Sequence, residues 1–117
     1  MVDFSDRVRI RASEETTRLG LAGREGVVFG WTTPSVTSVS VIGTQPDDFA
    51  VNVHVDELDE GFWLAEDLLE FLDHQEGTVI GLDGVDIEWV RLADGGWQER
   101  PRKKWTDRFK RLFRNDK

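Results

Sequence analysis

The sequence predicts an all-β domain extended by a β-meander and ending in an amphipathic helix. Three observations lead there. Short segments alternate apolar and polar residues with the period of two expected of half-buried strands. Glycine-bearing and acidic turn sequences separate those segments. From about Lys103 the apolar period becomes helical, in a stretch whose charge opposes that of the rest of the chain.

Strand signals follow one another along the chain. In "RVRIR", Val8 and Ile10 share one face and Arg7, Arg9 and Arg11 the other. "EGVVFGW" is rich in β-formers and lies between glycines, and "VTSVSVI" sets Val39 and Val41 against Ser38 and Ser40. After the turn-like "GTQPDD" (43–48), "VNVHV" points Val51, Val53 and Val55 inward and Asn52 and His54 outward. The acidic turn "DELDEG" then leads to "FWLAEDLLEFLD". Leu64, Leu68, Phe71 and Leu72 stand at helical spacing there, so periodicity alone favours a helix. "GTVIGL" and "VDIEWVRL", joined by Asp83-Gly84, read as a hairpin, and "WQER" follows a turn around Asp94, Gly95 and Gly96. Pro101 ends the last strand. Val8, Ile10, Val28, Val51, Val53, Val55 and Ile87 are the expected core.

A chain of 117 residues is one domain's worth of sequence. The expected organisation is a single β domain over 1–101, with a barrel-like part at 6–73 and the meander at 77–100, followed by a helical tail at 102–117. With 38% hydrophobic and 32% charged residues the composition is that of a folded domain rather than a disordered chain. The lack of cysteine excludes disulfides, thiolate metal sites and thiol catalysis. The charged N-terminus is unlike a signal peptide, and no apolar run is long enough to span a bilayer, so a cytoplasmic location is expected.

The glycines of "LGLAGREGVVFG" (19–30) raise the question of a phosphate cradle. A dinucleotide fingerprint needs Gly-x-Gly-x-x-Gly after a strand and opening a helix, and a Walker loop needs Gly-Lys-Ser/Thr. Here Gly20, Gly23 and Gly26 are spaced by threes and lead into "VVFGW", a strand. The stretch reads as a corner between strands, where glycine admits positive φ or a close backbone approach.

The run "RVRIR…GLAGREGVV" resembles the KOW motif of SH3-like barrels, with Gly23 and Gly26 at the motif glycines and Val27 or Val28 as the apolar residue after them. "VNVHV" and "WLAEDLLEFL" are similar to the closing strands of the SH3-like PsaE-type proteins of photosystem I. The resemblance spans about 6–73 and implies an SH3-like small barrel. It also implies a 3₁₀ turn at Ala65-Glu66-Asp67 and a strand over Leu69 to Leu72 in place of the helix, and we take that extended reading. Two features depart from the KOW pattern. The first loop, "ASEETTRLGLAG", is long, and the body is acidic where RNA-binding members are basic, which argues against nucleic-acid binding by the barrel itself.

Candidates for chemistry are few. His54, on a polar strand face, and His74, in a loop, read as solvated, with no second histidine at metal spacing and no nucleophile elbow. Asp56, Glu57, Asp59 and Glu60 lack the spacing of a calcium loop and read as an acidic turn. No catalytic residue, metal ligand, cofactor or small-molecule substrate is inferred, and an enzyme is not expected. The five tryptophans read mainly as packing: Trp89 on the face of Val85 and Ile87, Trp97 paired with it across strands, Trp31 and Phe62-Trp63 at strand ends. Adjacent Phe62 and Trp63 cannot both face inward in a strand, so Trp63 is a candidate surface contact.

The net charge of −8 divides unevenly: residues 1–99 carry 6 Lys/Arg against 21 Asp/Glu (−15), and 100–117 carry 9 against 2 (+7). In the tail, Trp105, Phe109, Leu112 and Phe113 form one apolar stripe, flanked by Lys103, Arg108, Lys110, Arg111 and Arg114. So short a helix is marginal alone and needs something to pack on: the chain's own acidic body, a second copy, a partner protein, nucleic acid or an anionic membrane. The expected function is a non-catalytic protein-binding adaptor or accessory module. The expected contacts are Trp63, Trp105, Arg108, Phe109, Lys110, Arg111, Leu112, Phe113 and Arg114, with a protein partner or self-association favoured over a membrane. The alternative is a nucleic-acid-associated protein whose tail meets phosphates.

Overall fold

Val8 and Ile10, buried on alternate positions, make Arg7–Ile10 the first strand (β1) of a computed structural model that describes residues 2–44 and 47–102. The chain packs as two units, Met1–Gln75 and Glu76–Lys117. In the first, β2 (Glu25–Thr32), β3 (Ala50–Val55), β4 (Glu60–Leu64) and β5 (Leu69–Asp73) join β1 in one antiparallel sheet of order β4-β3-β2-β1-β5. Among the described residues no ladder joins β4 to β5, so the sheet is not closed into a barrel.

The long first loop is ordered by its own polar groups. Ser13 caps the short helix α1 (Glu14–Arg18): its Oγ accepts the Thr16 N–H at 3.0 Å, and the Thr16 hydroxyl accepts the Ser13 N–H at 2.8 Å. Thr16 is fully buried and its hydroxyl also donates to the Arg11 carbonyl, which ties the loop back to the end of β1. The glycines that follow turn the chain into β2 rather than opening a helix. Gly23 has φ +80° with open space around it, whereas Gly26 lies so close to β3 that a Cβ would stand 2.3 Å from the His54 carbonyl oxygen.

Inward-facing residues of the five strands form the core of this unit: Val8, Ile10, Val28, Val51, Val53, Val55, Leu64 and Leu69, sealed by Leu21 and Val2. "FWLAEDLLEFLD" is not a helix. It runs as β4, a 3₁₀ turn at Glu66–Leu68 and β5, because Leu64, Ala65 and Leu69 each bury against the sheet while Asp67 faces solvent.

"VTSVSVI" is not a strand. Pro34 starts a one-turn helix, α2 (Pro34–Thr37), and Ser38, at φ +60°, ends it in the left-handed region. Val36 is left 78% exposed, and Ile42 joins the sheet through an isolated parallel bridge to Leu64. Val39 and Val41 are only half-buried, between exposed Ser38 and Ser40, and form no strand.

The second unit holds a three-stranded antiparallel sheet, β6 (Val79–Gly81), β7 (Ile87–Arg91) and β8 (Trp97–Pro101), in chain order. The β7–β8 connection is a type I turn with a bulge. Gly95 N–H donates to Leu92 O, Leu92 N–H donates to Gly96 O, and Gly95 takes φ +91°. Two expectations fail in this sheet. Ile87 is 36% exposed and not core, since three strands leave the end of β7 uncovered. Trp97 faces Arg91, whose guanidinium carbon lies 5.0 Å from the ring centroid, while Trp89 faces Glu99.

Asp83-Gly84 is also not the two-residue primed hairpin that the sequence suggests, because the last cross-strand pair before the turn is Gly81 with Glu88. Val85 N–H donates to Leu82 O at 3.1 Å and φ is positive at Gly84 alone, +80°, which is the type II pattern. Glycine is still required there. Gly84→Val is expected to cost about 1–3 kcal/mol through backbone strain rather than a clash, since the space beside Gly84 is open. A melting temperature equal to the parent's would refute the turn assignment.

Candidate functional site

The face of the first sheet opposite its core carries aromatic side chains in the open. Register sets which ones. Val27, His54 and Gly61 are cross-strand neighbours, as are Gly30, Asn52 and Trp63, and all of these point away from the buried Val28–Val53–Phe62 row. Phe62 therefore packs on the core and Trp63 takes the outer face. Both sit mid-strand rather than at a strand end. Between Val28 and Gly30 the β2–β3 register shifts, making Phe29 the extra residue of a bulge. Phe29 is 55% exposed and stacks on the His54 ring, centroids 5.0 Å apart and planes 10° from parallel. Trp31, two residues on, is 48% exposed but pairs with the inward-facing Val51, so past the bulge it belongs to the core side of the sheet.

His54 is thus not simply solvated: its Nε2 also lies 2.9 Å from Asp59 Oδ1, at the β3–β4 turn. Asp59 itself holds φ +49° with its N–H donating to Val55 O, so the turn fixes the carboxylate beside the ring. Glu60 follows immediately, which sets acidic groups at the margin of the aromatic surface.

Further along the same sheet the polar side of β1 forms a ladder of ion pairs. Arg7 reaches Asp56 at 2.5 Å and Glu25 at 3.3 Å, and Arg9 reaches Glu25 at 3.2 Å and Glu70 at 3.3 Å. The hydrogen bond to Asp56 holds the Arg7 guanidinium above the usual arginine range, and the bond to Glu25 does the same for Arg9. Arg24 pairs with Glu57 at 2.6 Å. These pairs are partly or largely exposed and fix register more than they stabilise. With three of its five arginines so engaged, the first unit, which carries fifteen Asp and Glu over residues 1–75, presents a predominantly acidic surface.

A cleft of about 470 Å³ opens on the opposite side of β1, lined by Val2, Asp6, Arg11, Glu66, Leu69, Phe71 and His74. His74, expected as a solvated loop residue, instead places Nδ1 2.7 Å from Oδ1 of Asp6, which is 1% exposed. Its ring is tilted against Phe71 at 4.7 Å.

Of the residues that the sequence nominates as contacts, Trp63 is on the aromatic face. Trp105, Arg108, Phe109, Lys110, Arg111, Leu112, Phe113 and Arg114 lie outside the described residues, as does all of the segment from 103 on for which a helix is expected. Sequence reasoning missed Phe29, whose exposure depends on a bulge, and Asp6 with His74, which meet across 68 residues of chain. Among the described residues no His, Asp or Glu group is arranged to hold a metal ion, and no helix is long and apolar enough to cross a membrane. No protein-family model matches the chain, and no curated protein matches its sequence.

Proposed function

We propose that the chain is a non-catalytic protein-binding module, an adaptor or accessory module, and that its first unit is an open version of the SH3-like barrel, akin to KOW-motif domains and the PsaE-type proteins of photosystem I. Support for the fold reading is the strand order β4-β3-β2-β1-β5, the 3₁₀ turn between β4 and β5, and Gly26, where only glycine fits. The functional reading rests on one observation: Phe29 stands exposed on the outer sheet face that also carries Trp63, and it is held flat on His54. Aromatic side chains fixed by neighbours form binding hot spots because little side-chain entropy is lost when a partner covers them.

The partner that fits is a protein segment that is apolar and basic, since the aromatic row is bordered by Asp59 and Glu60 within an acidic unit. The basic segment 100–117 gives the competing reading, nucleic acid bound through phosphates.

The test is affinity capture from the native host with the full chain, the Phe29→Ala/Trp63→Ala double variant, and a Lys110/Arg111/Arg114 neutralised variant. The double variant is expected to lower affinity for the captured protein by about 30- to 1000-fold, since loss of a hot-spot aromatic costs about 2–4 kcal/mol. The neutralised variant should retain it. Capture that survives the aromatic change, disappears on neutralisation and weakens steeply with salt would overturn the proposal in favour of nucleic acid.

A further inference from the structure

We infer that the cleft between β1, β5 and the 3₁₀ turn is a binding site for a free amino acid with an apolar side chain. The cleft belongs to the first unit and is separate from the aromatic face, so the inference does not rest on the protein-binding proposal.

Three kinds of group converge there. Arg11 follows β1 directly, and its N–H donates to the Leu68 carbonyl at 2.7 Å, which fixes its backbone beside the 3₁₀ turn. Its side chain is exposed, and the described residues place no carboxylate on its guanidinium, unlike Arg7, Arg9 and Arg24 on the other side of the sheet. A guanidinium at the mouth of a cleft is a two-pronged donor for a carboxylate. Glu66 opens the 3₁₀ turn and uses Oε2 to accept the Val2 N–H at 3.1 Å. That bond holds its carboxylate in the cleft wall with acceptor capacity left for an ammonium.

Opposite charges lining one cleft, the Arg11 guanidinium and the Glu66 carboxylate, match a zwitterion better than a simple anion or amine. Either of those would leave one of the two charged groups uncompensated.

The third group is apolar. Val2 and Leu69 are each 6% exposed and line the cleft, and Phe71 adds a ring that is 47% exposed. His74 packs against that ring and is held by the Asp6 carboxylate, whose other oxygen accepts the Asp3 N–H at 2.7 Å. Phe71 is therefore backed by a fixed neighbour, and the apolar wall can receive a side chain without rearranging. At about 470 Å³ the cleft is within the range of small-molecule sites, about 300–1,000 Å³, and its lining mixes Asp6, Arg11, Glu66 and His74 with the apolar Val2, Leu69 and Phe71.

The experiment is titration of the full chain with L-phenylalanine, N-acetyl-L-phenylalanine and phenethylamine, followed by amide and histidine ring resonances. L-phenylalanine is expected to give saturable shifts centred on Arg11, Leu69, Phe71 and His74, with half-saturation at about 1 mM or below. The acetylated compound lacks the ammonium and phenethylamine lacks the carboxylate, and each should bind about tenfold or more weakly. Arg11→Gln removes the guanidinium while keeping the backbone bond to Leu68, and should weaken L-phenylalanine about 10- to 100-fold with an unchanged melting temperature. Glu66→Gln should weaken L-phenylalanine and leave N-acetyl-L-phenylalanine unaffected. Absence of saturable shifts, shifts elsewhere on the chain, or equal binding of the three compounds would overturn the inference, as would an Arg11→Gln protein that binds as the parent does.

Discussion

Gly26→Ala is expected to destabilise the first unit by at least the upper part of the ~1–3 kcal/mol that overpacking costs. The added methyl would lie 2.3 Å from the His54 carbonyl oxygen, 2.8 Å from Val53 Cγ1 and 3.0 Å from the His54 carbonyl carbon. Two of those three atoms are backbone in the middle of β3, so no rotamer change relieves the contact and the strands must separate. Gly26 is paired with Val8 on one side and Val55 on the other, so separation disturbs the β1–β2 and β2–β3 ladders together.

Gly23 provides the contrast. It needs glycine for φ +80° and has nothing within 4 Å, so Gly23→Ala should cost about 1 kcal/mol and Gly23→Asn less, because asparagine tolerates the left-handed region. Asparagine cannot rescue Gly26. Thermal melts of the variants decide: for a unit of this size 1 kcal/mol moves Tm by about 4–8 °C, so a Gly26→Ala protein melting within about 2 °C of the parent would contradict the close approach of β2 and β3.

The same contrast explains how much of the molecule was legible. β1 and β3 alternate with a period of two, and in a sheet with one covered face that period names the buried residues directly, as Val8, Ile10, Val51, Val53 and Val55 illustrate. The period cannot say whether a face is covered at all. Val39 and Val41 alternate with serines as cleanly as Val51 and Val53 do with their neighbours, yet Pro34 and the left-handed Ser38 divert that segment from the sheet. Ile87 alternates correctly within a real strand and is still a third exposed, because three strands offer it too little cover.

The candidate site divides in a similar way. The Phe62-Trp63 adjacency announces that one ring must face outward, which is a local rule. Phe29 depends on where a bulge falls, and Asp6 meets His74 only after the chain has closed β5 onto β1. Neither leaves a mark in spacing, because each is a consequence of tertiary register.

Ile10→Ala should lower the stability of the first unit by about 2–5 kcal/mol, a large share of the roughly 5–15 kcal/mol that holds a domain of ordinary size. Ile10 is 1% exposed and sits where three parts of the unit converge. It pairs with Leu69 of β5, its N–H donates to Arg24 O at 2.9 Å, and its carbonyl accepts the Gly23 N–H at 2.8 Å. The backbone bonds survive the substitution, so the loss is the transfer free energy of the missing atoms plus the cavity left among Val8, Leu21 and Leu69. The rigid strands around that cavity collapse only in part.

Ile87→Ala has the same chemistry at an exposed strand position and should cost about 1 kcal/mol or less, the scale of strand propensity alone. Denaturant titration read through hydrogen exchange separates the two sheets. Ile10→Ala should reduce protection of the amides of Val51, Val53 and Val55, and Ile87→Ala should leave the same amides unchanged. Equal costs for the two substitutions would mean that β7 is as well covered as β1, and that the core is not confined to the inward side of the five-stranded sheet. Because Phe29 and His54 stand on the other side of that sheet, partner binding should fall in Ile10→Ala only where the first unit itself unfolds. A loss of binding in the folded variant would show that the aromatic face depends on core packing and not on strand register alone.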